Sequence, residues 1–463
     1  MLTGLLADGS SARNNHVLSL HQSTANRDGV QTMKPLQSEV LQTRRRNPLD
    51  LLMSSRLGKL FGRIGLSPRS ASNESLLDLA QAMLSLRGRA SGPALASAFL
   101  DLYEGSEIGE RQAFLASFHD LYPHDASAID AAIREWQSSP GSTSARALNA
   151  ATEAPSDKLI RILNLAPNGT RRLLSMREDL LDMGEQAPGT RMFARALDRA
   201  FSDWFNAGFL ELRRIMWDSP ARLLERIIHY EAVHEIDGWD DLRNRVEPRD
   251  RRCYGFFHPQ MVDDPLIFVE VALTSEVPGK IHEIIAKERQ GILPADVSCA
   301  IFYSISNCQK GLRGIPFGNY LIKRVVGLLQ EELPHLTTFA TLSPLPGFAK
   351  WLASEGRSEM RGMAEAELKT LAAHYLIEEK HRSGLPLDSV ARFHLGNGAR
   401  LEAIHTGADL SANGQAQSHG VMVNYVYDLS EIEANHFALN ELGTVAASRS
   451  VLALATEANA LAS

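Results

Sequence analysis

A chain of 463 residues, 44% of them hydrophobic, has enough apolar material for two or three domains. A net charge of −7 argues against a general nucleic-acid or membrane-surface binder. The best apolar run, Leu266 to Leu273 broken by Glu270, is far too short to cross a bilayer. Three cysteines, Cys253, Cys299 and Cys308, lack CxxC spacing, so neither a disulfide framework nor a zinc site is expected.

Residues 1–70 are rich in Ser, Asn, Gln and Arg, with Arg44-Arg45-Arg46 at their centre of charge, and carry +6 against −13 on the remainder. Two readings stay open. One is a transit peptide, weakened by Asp8, Asp28, Glu39 and Asp50; the other is a poorly ordered start to a cytoplasmic protein. Within this stretch Leu51–Ile64 can form a short amphipathic helix.

From Ala71 to Phe205 the pattern is helical. Ser75 and Asp78 have capping-box spacing before the apolar run that ends at Leu84. Ile129, Ala132, Ile133 and Trp136 mark one face of a helix, and Asn168-Gly169 opens another with Leu173, Leu174, Leu180 and Leu181 as its stripe. The Leu and Met rows are expected to be core, in a helical bundle whose outer faces are available for oligomer contacts. No catalytic constellation is visible there.

After Gly208 strand-like runs appear: Leu266–Leu273, Cys299–Ile305, Thr338–Leu342 and Val421–Tyr427. Helical stretches lie between them at Gly279–Lys287 and Asn319–Leu333. Strands alternating with helices predict an α/β layer structure from residue 206 to 463. The division is then 1–70, 71–205 and 206–463.

Three local features carry chemistry. In Ser304-Ile-Ser-Asn-Cys-Gln-Lys-Gly-Leu-Arg-Gly-Ile-Pro-Phe-Gly-Asn319 a strand runs through Gly311, Gly314 and Gly318 into a helix. Glycines admit a close ligand, a helix start favours an anion, and Lys310, Arg313, Lys323 and Arg324 add positive charge. This describes a pyrophosphate cradle, or else plain turn chemistry. In Leu342-Ser-Pro-Leu-Pro-Gly-Phe348 two prolines and a glycine fix the backbone after Ser343 at a strand end. Its hydroxyl is either presented to a ligand or spent capping the turn. In Phe393-His-Leu-Gly-Asn-Gly398 a histidine flanked by glycines is placed in a loop, where it can serve proton transfer. His258 and Asp263-Asp264 read as surface loop, and His374 and His381 lack metal-ligand company.

Beyond these features, Ala300–Ser306, Gly311–Gly314, Leu321–Val326, Leu342–Phe348, His394–Ala399, Glu231-Ala-Val-His234 and Arg251-Arg-Cys-Tyr254 closely resemble the malonyl-CoA decarboxylase family, over roughly residues 160–430. The resemblance implies a helical N-terminal domain and a catalytic domain of the general N-acetyltransferase fold, which carries CoA pyrophosphate on a strand-loop-helix turn. Here that turn supplies Gln309, Lys310, Gly311, Arg313, Gly314, Gly318, Asn319 and Lys323. The catalytic pair carries over as Ser343 and His394, with Tyr427 lining the site. It further implies malonyl-CoA as substrate, acetyl-CoA and carbon dioxide as products, a homotetramer, and no metal or organic cofactor. One departure is that Gly314-Ile-Pro-Phe-Gly318 lacks an acid that the family carries in this loop. A CoA-dependent N-acyltransferase of the same fold is the alternative.

Overall fold

The computed structural model describes residues 73–85, 92–184, 188–289, 291–315, 321–356 and 364–462. Residues 1–70, with the expected helix Leu51–Ile64, lie outside the described residues, as do Gly318 and Asn319.

Among the described residues eight helices come first: α1 Asn73–Ser85, α2 Gly92–Gly105, α3 Ile108–Leu121, α4 Ala126–Ser138, α5 Ser142–Ala151, α6 Pro155–Leu163, α7 Gly169–Met183 and α8 Pro188–Trp204. Their centre is aromatic. Phe114 meets Phe99 and Phe193 edge-on, and Phe118 meets Phe193 likewise. Such pairs add about 0.5–1.5 kcal/mol each beyond the area they bury. Helix α1 starts at Asn73, so Ser75 and Asp78 lie inside it rather than capping it. Helix α7 opens at Asn168-Gly169 as expected, with Asn168 left-handed at φ 56°. The face Ile129–Trp136 lies on α4 as expected, but it is mostly not core. Only Ala132 is buried, while Ile133 and Trp136 are 37% and 39% exposed. Periodicity marks a face but not what covers it.

The remaining chain alternates: β1 Glu211–Ile215, α9 Ala221–Tyr230, α10 Gly238–Val246, β2 Arg251–Phe257, β3 Ile267–Thr274, α11 His282–Ile285 and β4 Cys299–Asn307. Then follow α12 Leu321–Glu332, β5 Thr338–Thr341, β6 Ser343–Pro344, α13 Phe348–Ser354, α14 Glu365–Ile377, α15 Ser389–Gly396 and β7 Arg400–His405. The chain finishes with α16 Ala412–Ser418, β8 Met422–Val426, α17 Ile432–Leu442 and α18 Arg449–Ala462.

The four strands read from sequence match β3, β4, β5 and β8 to within a residue or two at each end. Strands β1, β2 and β7 were not legible as strands. In β2 the first two residues are Arg251 and Arg252, which look solvent-facing but are buried on Asp250 and Glu332. The helical stretch Gly279–Lys287 shrinks to α11, where Ile281 and Ile284 turn inward and the backbone extends again at Ala286.

The sheet runs β1-β2-β3-β4-β5-β8, with β6 and β7 also paired to β8. Strands β1 to β4 are antiparallel, and β4 and β5 are parallel. The parallel ladder stops at Phe302 opposite Thr341, although β4 continues along β3 to Asn307. Past that point β5 and β6 follow β8 in one register, Ala340 opposite Val426 and Ser343 opposite Val423. The sheet therefore parts between β4 and β6, and Ser343 stands at the parting. Helices α9 and α10 cover one region of the sheet through Leu224, Ile227 and Leu242 on Cys253 and Phe268. Ile281 and Ile284 pack with Ile301, Tyr303 and Leu342 in a second cluster.

Helix α7 presses on the turn after β4. A Cβ at Gly311 would lie 2.5 Å from the Leu174 carbonyl oxygen, so this glycine is required by a helix rather than by a ligand. Gly311→Ala should lower the melting temperature by several degrees, because backbone must move to admit the methyl group; thermal denaturation of the two proteins checks it.

Candidate active site

Ser343 is held between Pro344, which restricts its backbone, and Val423 of β8 across the ladder. It is 5% exposed. Its Oγ donates to Thr341 Oγ1 at 2.8 Å and lies 3.1 Å from His394 Nε2. His394 Nδ1 lies 2.8 Å from the Tyr427 hydroxyl. One ring nitrogen of His394 faces Ser343 and the other Tyr427. Three residues spread over 85 positions thus form one hydrogen-bonded row.

His394 does not sit in a loop. It occupies the last turn of α15, 3% exposed. Asp388 caps that helix by accepting from the Val390 and Ala391 amides, and the Gly396-Asn397-Gly398 cluster is the helix end rather than a free loop. The ring stacks on Tyr425 with centroids 4.7 Å apart. Burial pushes the His394 pKa down to about 3 and the Tyr427 hydroxyl well up. The free site is therefore neutral at physiological pH.

The predicted cradle residues are partly brought together, and several face the helical part of the chain. Gln309 Nε2 donates to Asp264 Oδ1 at 3.2 Å and to the Pro265 carbonyl. Lys310 pairs with Asp182 at 2.6 Å, and Lys323 pairs with Glu433 at 2.9 Å. The Gly311 amide donates to Glu178. Buried Arg177 donates to the Gly311 carbonyl at 2.6 Å and the Arg313 carbonyl at 2.9 Å. The Arg313 side chain itself is exposed, and Gly314 turns the backbone at φ 84°. Asp264, read from sequence as surface loop, is 2% exposed and pairs with Arg171 and Arg226. Its neighbour Asp263 gave no hint of this, because the partners come from α7 and α9.

Sequence reasoning missed Thr341, Asp388 and Tyr425. Thr341 Oγ1 also accepts from the Tyr425 amide at 3.2 Å. Asp388 before Ser389-Val390-Ala391 has a helix-cap pattern that could have been read; Tyr425 offered only its place two residues before Tyr427 on one strand face.

Fold and site together describe an enzyme built from a helical part and a mixed sheet, with acid–base groups gathered where two strands part. Two family models match the chain: the malonyl-CoA decarboxylase N-terminal domain over residues 122–205, and the C-terminal domain over 208–367 and 357–462. A mitochondrial malonyl-CoA decarboxylase of Anser anser anser is 36% identical over 350 residues, 65% of this chain and 69% of the relative. That of Rattus norvegicus is 36% identical over 343 residues, 62% of this chain and 68% of the relative. Crystal structures of malonyl-CoA decarboxylases from Rhodopseudomonas palustris and Agrobacterium vitis align with TM-scores of 0.77 and 0.76. They are 45% and 44% identical, each alignment covering 82% of this chain and 99% of the other. The chain belongs to the malonyl-CoA decarboxylase family.

Stability should respond to acid through the buried histidines. Burial lowers His394 to about 3 and His234 to about 4, both below the ordinary value near 6.5. Below pH 6.5 the unfolded chain takes up protons that the folded one refuses, so stability falls as pH falls towards these values. Each histidine contributes about 1.4 kcal/mol per pH unit. Urea melts at pH 6.5 and 5.0 should show this loss, and His394→Asn should lessen it.

Proposed function

We propose that this protein decarboxylates malonyl-CoA to acetyl-CoA and carbon dioxide, as the names of its relatives state for them. One observation carries the reading: the buried row Ser343–His394–Tyr427 beside the parting of β4 and β6. Loss of carbon dioxide needs a place for the electron pair of the broken carbon–carbon bond, and the thioester supplies it as an enolate. The Ser343 hydroxyl turns to the malonyl carboxylate and holds it out of the thioester plane. That carboxylate, buried beside Nε2, offsets the desolvation that keeps the free ring neutral, so His394 takes a proton on binding. As the bond breaks, carbon dioxide departs, the electron pair enters the enolate, and the Nε2 hydrogen passes to carbon. Tyr427 holds the ring through Nδ1. The β4 backbone beyond Phe302 no longer pairs with β5, which supports an amide there as donor to the thioester oxygen.

Chromatography of malonyl-CoA incubated with the purified protein alone tests the activity; acetyl-CoA should accumulate without an amine acceptor, which an N-acyltransferase would require. Ser343→Ala and His394→Asn should each reduce turnover on the order of 10²–10⁴-fold, and together less than the product of the two. Wild-type turnover in His394→Asn would refute the mechanism. A stable acyl adduct at Ser343 in quenched enzyme, seen by mass spectrometry, would make it a nucleophile.

The turn Gln309–Asn319 and Lys323 are proposed to take the CoA pyrophosphate, supported by the exposed Arg313 side chain and by the Lys323–Glu433 pair, which a phosphate can open. Arg313→Glu should raise KM at low salt several-fold and leave turnover nearly unchanged, since remote phosphate contacts bind ground and transition states alike. The three-part division at residues 70 and 205 is proposed with it, supported by the change from helices to strands after Trp204. A homotetramer is supported by the exposed apolar side chains of α4, and light scattering decides it. A cytoplasmic location is proposed on the acids within residues 1–70, although the curated relatives cited above are mitochondrial by name.

A further inference from the structure

Asp388 joins three elements around the Ser343–His394 pair, and its role is not explained by capping alone. The residue is 1% exposed. Oδ1 accepts from the Val390 amide at 2.9 Å and the Ala391 amide at 3.0 Å, which starts the helix that ends at His394. Oδ2 faces the other way. It accepts from the Tyr375 hydroxyl at 3.3 Å and the Gly347 amide at 3.4 Å. Gly347 closes the segment Ser343-Pro-Leu-Pro-Gly347, whose two prolines transmit its position to Ser343 with little slack. A side chain at Gly347 would collide with the Tyr375 hydroxyl, so this approach is built into the segment. Burial raises the Asp388 pKa, opposed by the four donors that surround it. The Tyr425 ring that stacks on His394 also lies in the field of Asp388.

We infer that Asp388 is a positioning residue: one carboxylate, gripping the α15 start with one oxygen and Gly347 and Tyr375 with the other, sets the separation between His394 and Ser343. The inference rests on the decarboxylase reading of that pair. A helix cap needs only one oxygen, and a purely structural acid at this position would have no reason to reach the serine segment. Displacing a reacting group by about 1 Å can cost 10²-fold in rate, so small loosening here reads out in turnover rather than in binding.

Two substitutions separate the cap from the coupling. Asp388→Ser keeps a good capping oxygen but is too short to span to Tyr375 and Gly347. It should melt near wild type, hold KM within about twofold, and lose about tenfold or more in kcat. Asp388→Asn keeps the cap on its amide oxygen but turns a donor NH2 towards the Gly347 amide, so it should also lose about tenfold or more in kcat. In a His394→Asn background Asp388→Ser should cost little further, because no pair remains to align. Wild-type kcat in Asp388→Ser overturns the inference, and so does an equal loss in both backgrounds. Wild-type kcat in Asp388→Asn also overturns it, because the second oxygen would then not be needed as an acceptor. If Asp388→Ser does not fold, Tyr375→Phe leaves the cap intact and should lower kcat several-fold; unchanged turnover there refutes the coupling. Full activity in His394→Asn would instead sink the reading on which the inference stands.

Discussion

The register of β8 against β5 and β6 is the constraint on which the site depends. Side chains alternate along a strand, so Val423 and Tyr425 lie on one face, and the extended chain carries Tyr427 to the same side. Ala340 opposite Val426 and Ser343 opposite Val423 put the serine hydroxyl on that face too. His394 then needs only to be laid over it. It stacks on Tyr425 and reaches Ser343 with one nitrogen and Tyr427 with the other. A slip of one residue would send both tyrosines to the opposite side and dissolve the row. Asn424, whose side-chain amide donates to the Pro278 and Thr341 carbonyls, opposes such a slip.

A second constraint joins the helical part to the sheet. Arg177 on α7 is buried, and a buried guanidinium is tolerable only with its donors satisfied. It meets Asp198 and two carbonyls of the turn after β4. Leu174 closes on Gly311, and Asp264 gathers Arg171 from α7, Arg226 from α9 and Gln309 from the turn. The turn proposed to hold pyrophosphate is thus shaped by helices far ahead of it in the chain. The glycine pattern that suggested a ligand cradle has, at Gly311, a packing origin.

The reach of the sequence can be judged residue by residue. Continuous apolar strands such as Ile267–Thr274 were legible because both faces are covered and no polar position interrupts except Glu270, which is paired with Arg245. Strand β2 was not, because Arg251 and Arg252 look like surface until Asp250 and Glu332 are seen beside them. Ile133 and Trp136 mark the converse case, a helical stripe that the described residues leave part-exposed. Gly-Asn-Gly after His394 suggested a loop, because the helix stop is marked more plainly than the helix itself, whose start depends on Asp388.

By itself the sequence determined the family, the run of helices before the strands, and the two short motifs that carry Ser343 and His394. These are local matters of residue type and spacing, and local physics suffices for them. Only the tertiary structure decided that the histidine is buried and neutral, that one of its nitrogens faces Ser343, and that Thr341, Tyr425 and Asp388 surround the pair. It also decided that Lys310 and Lys323 are met by Asp182 and Glu433. Each of these facts pairs residues up to 128 positions apart, and desolvation and hydrogen-bond partners exist only once the sheet register has brought such residues together.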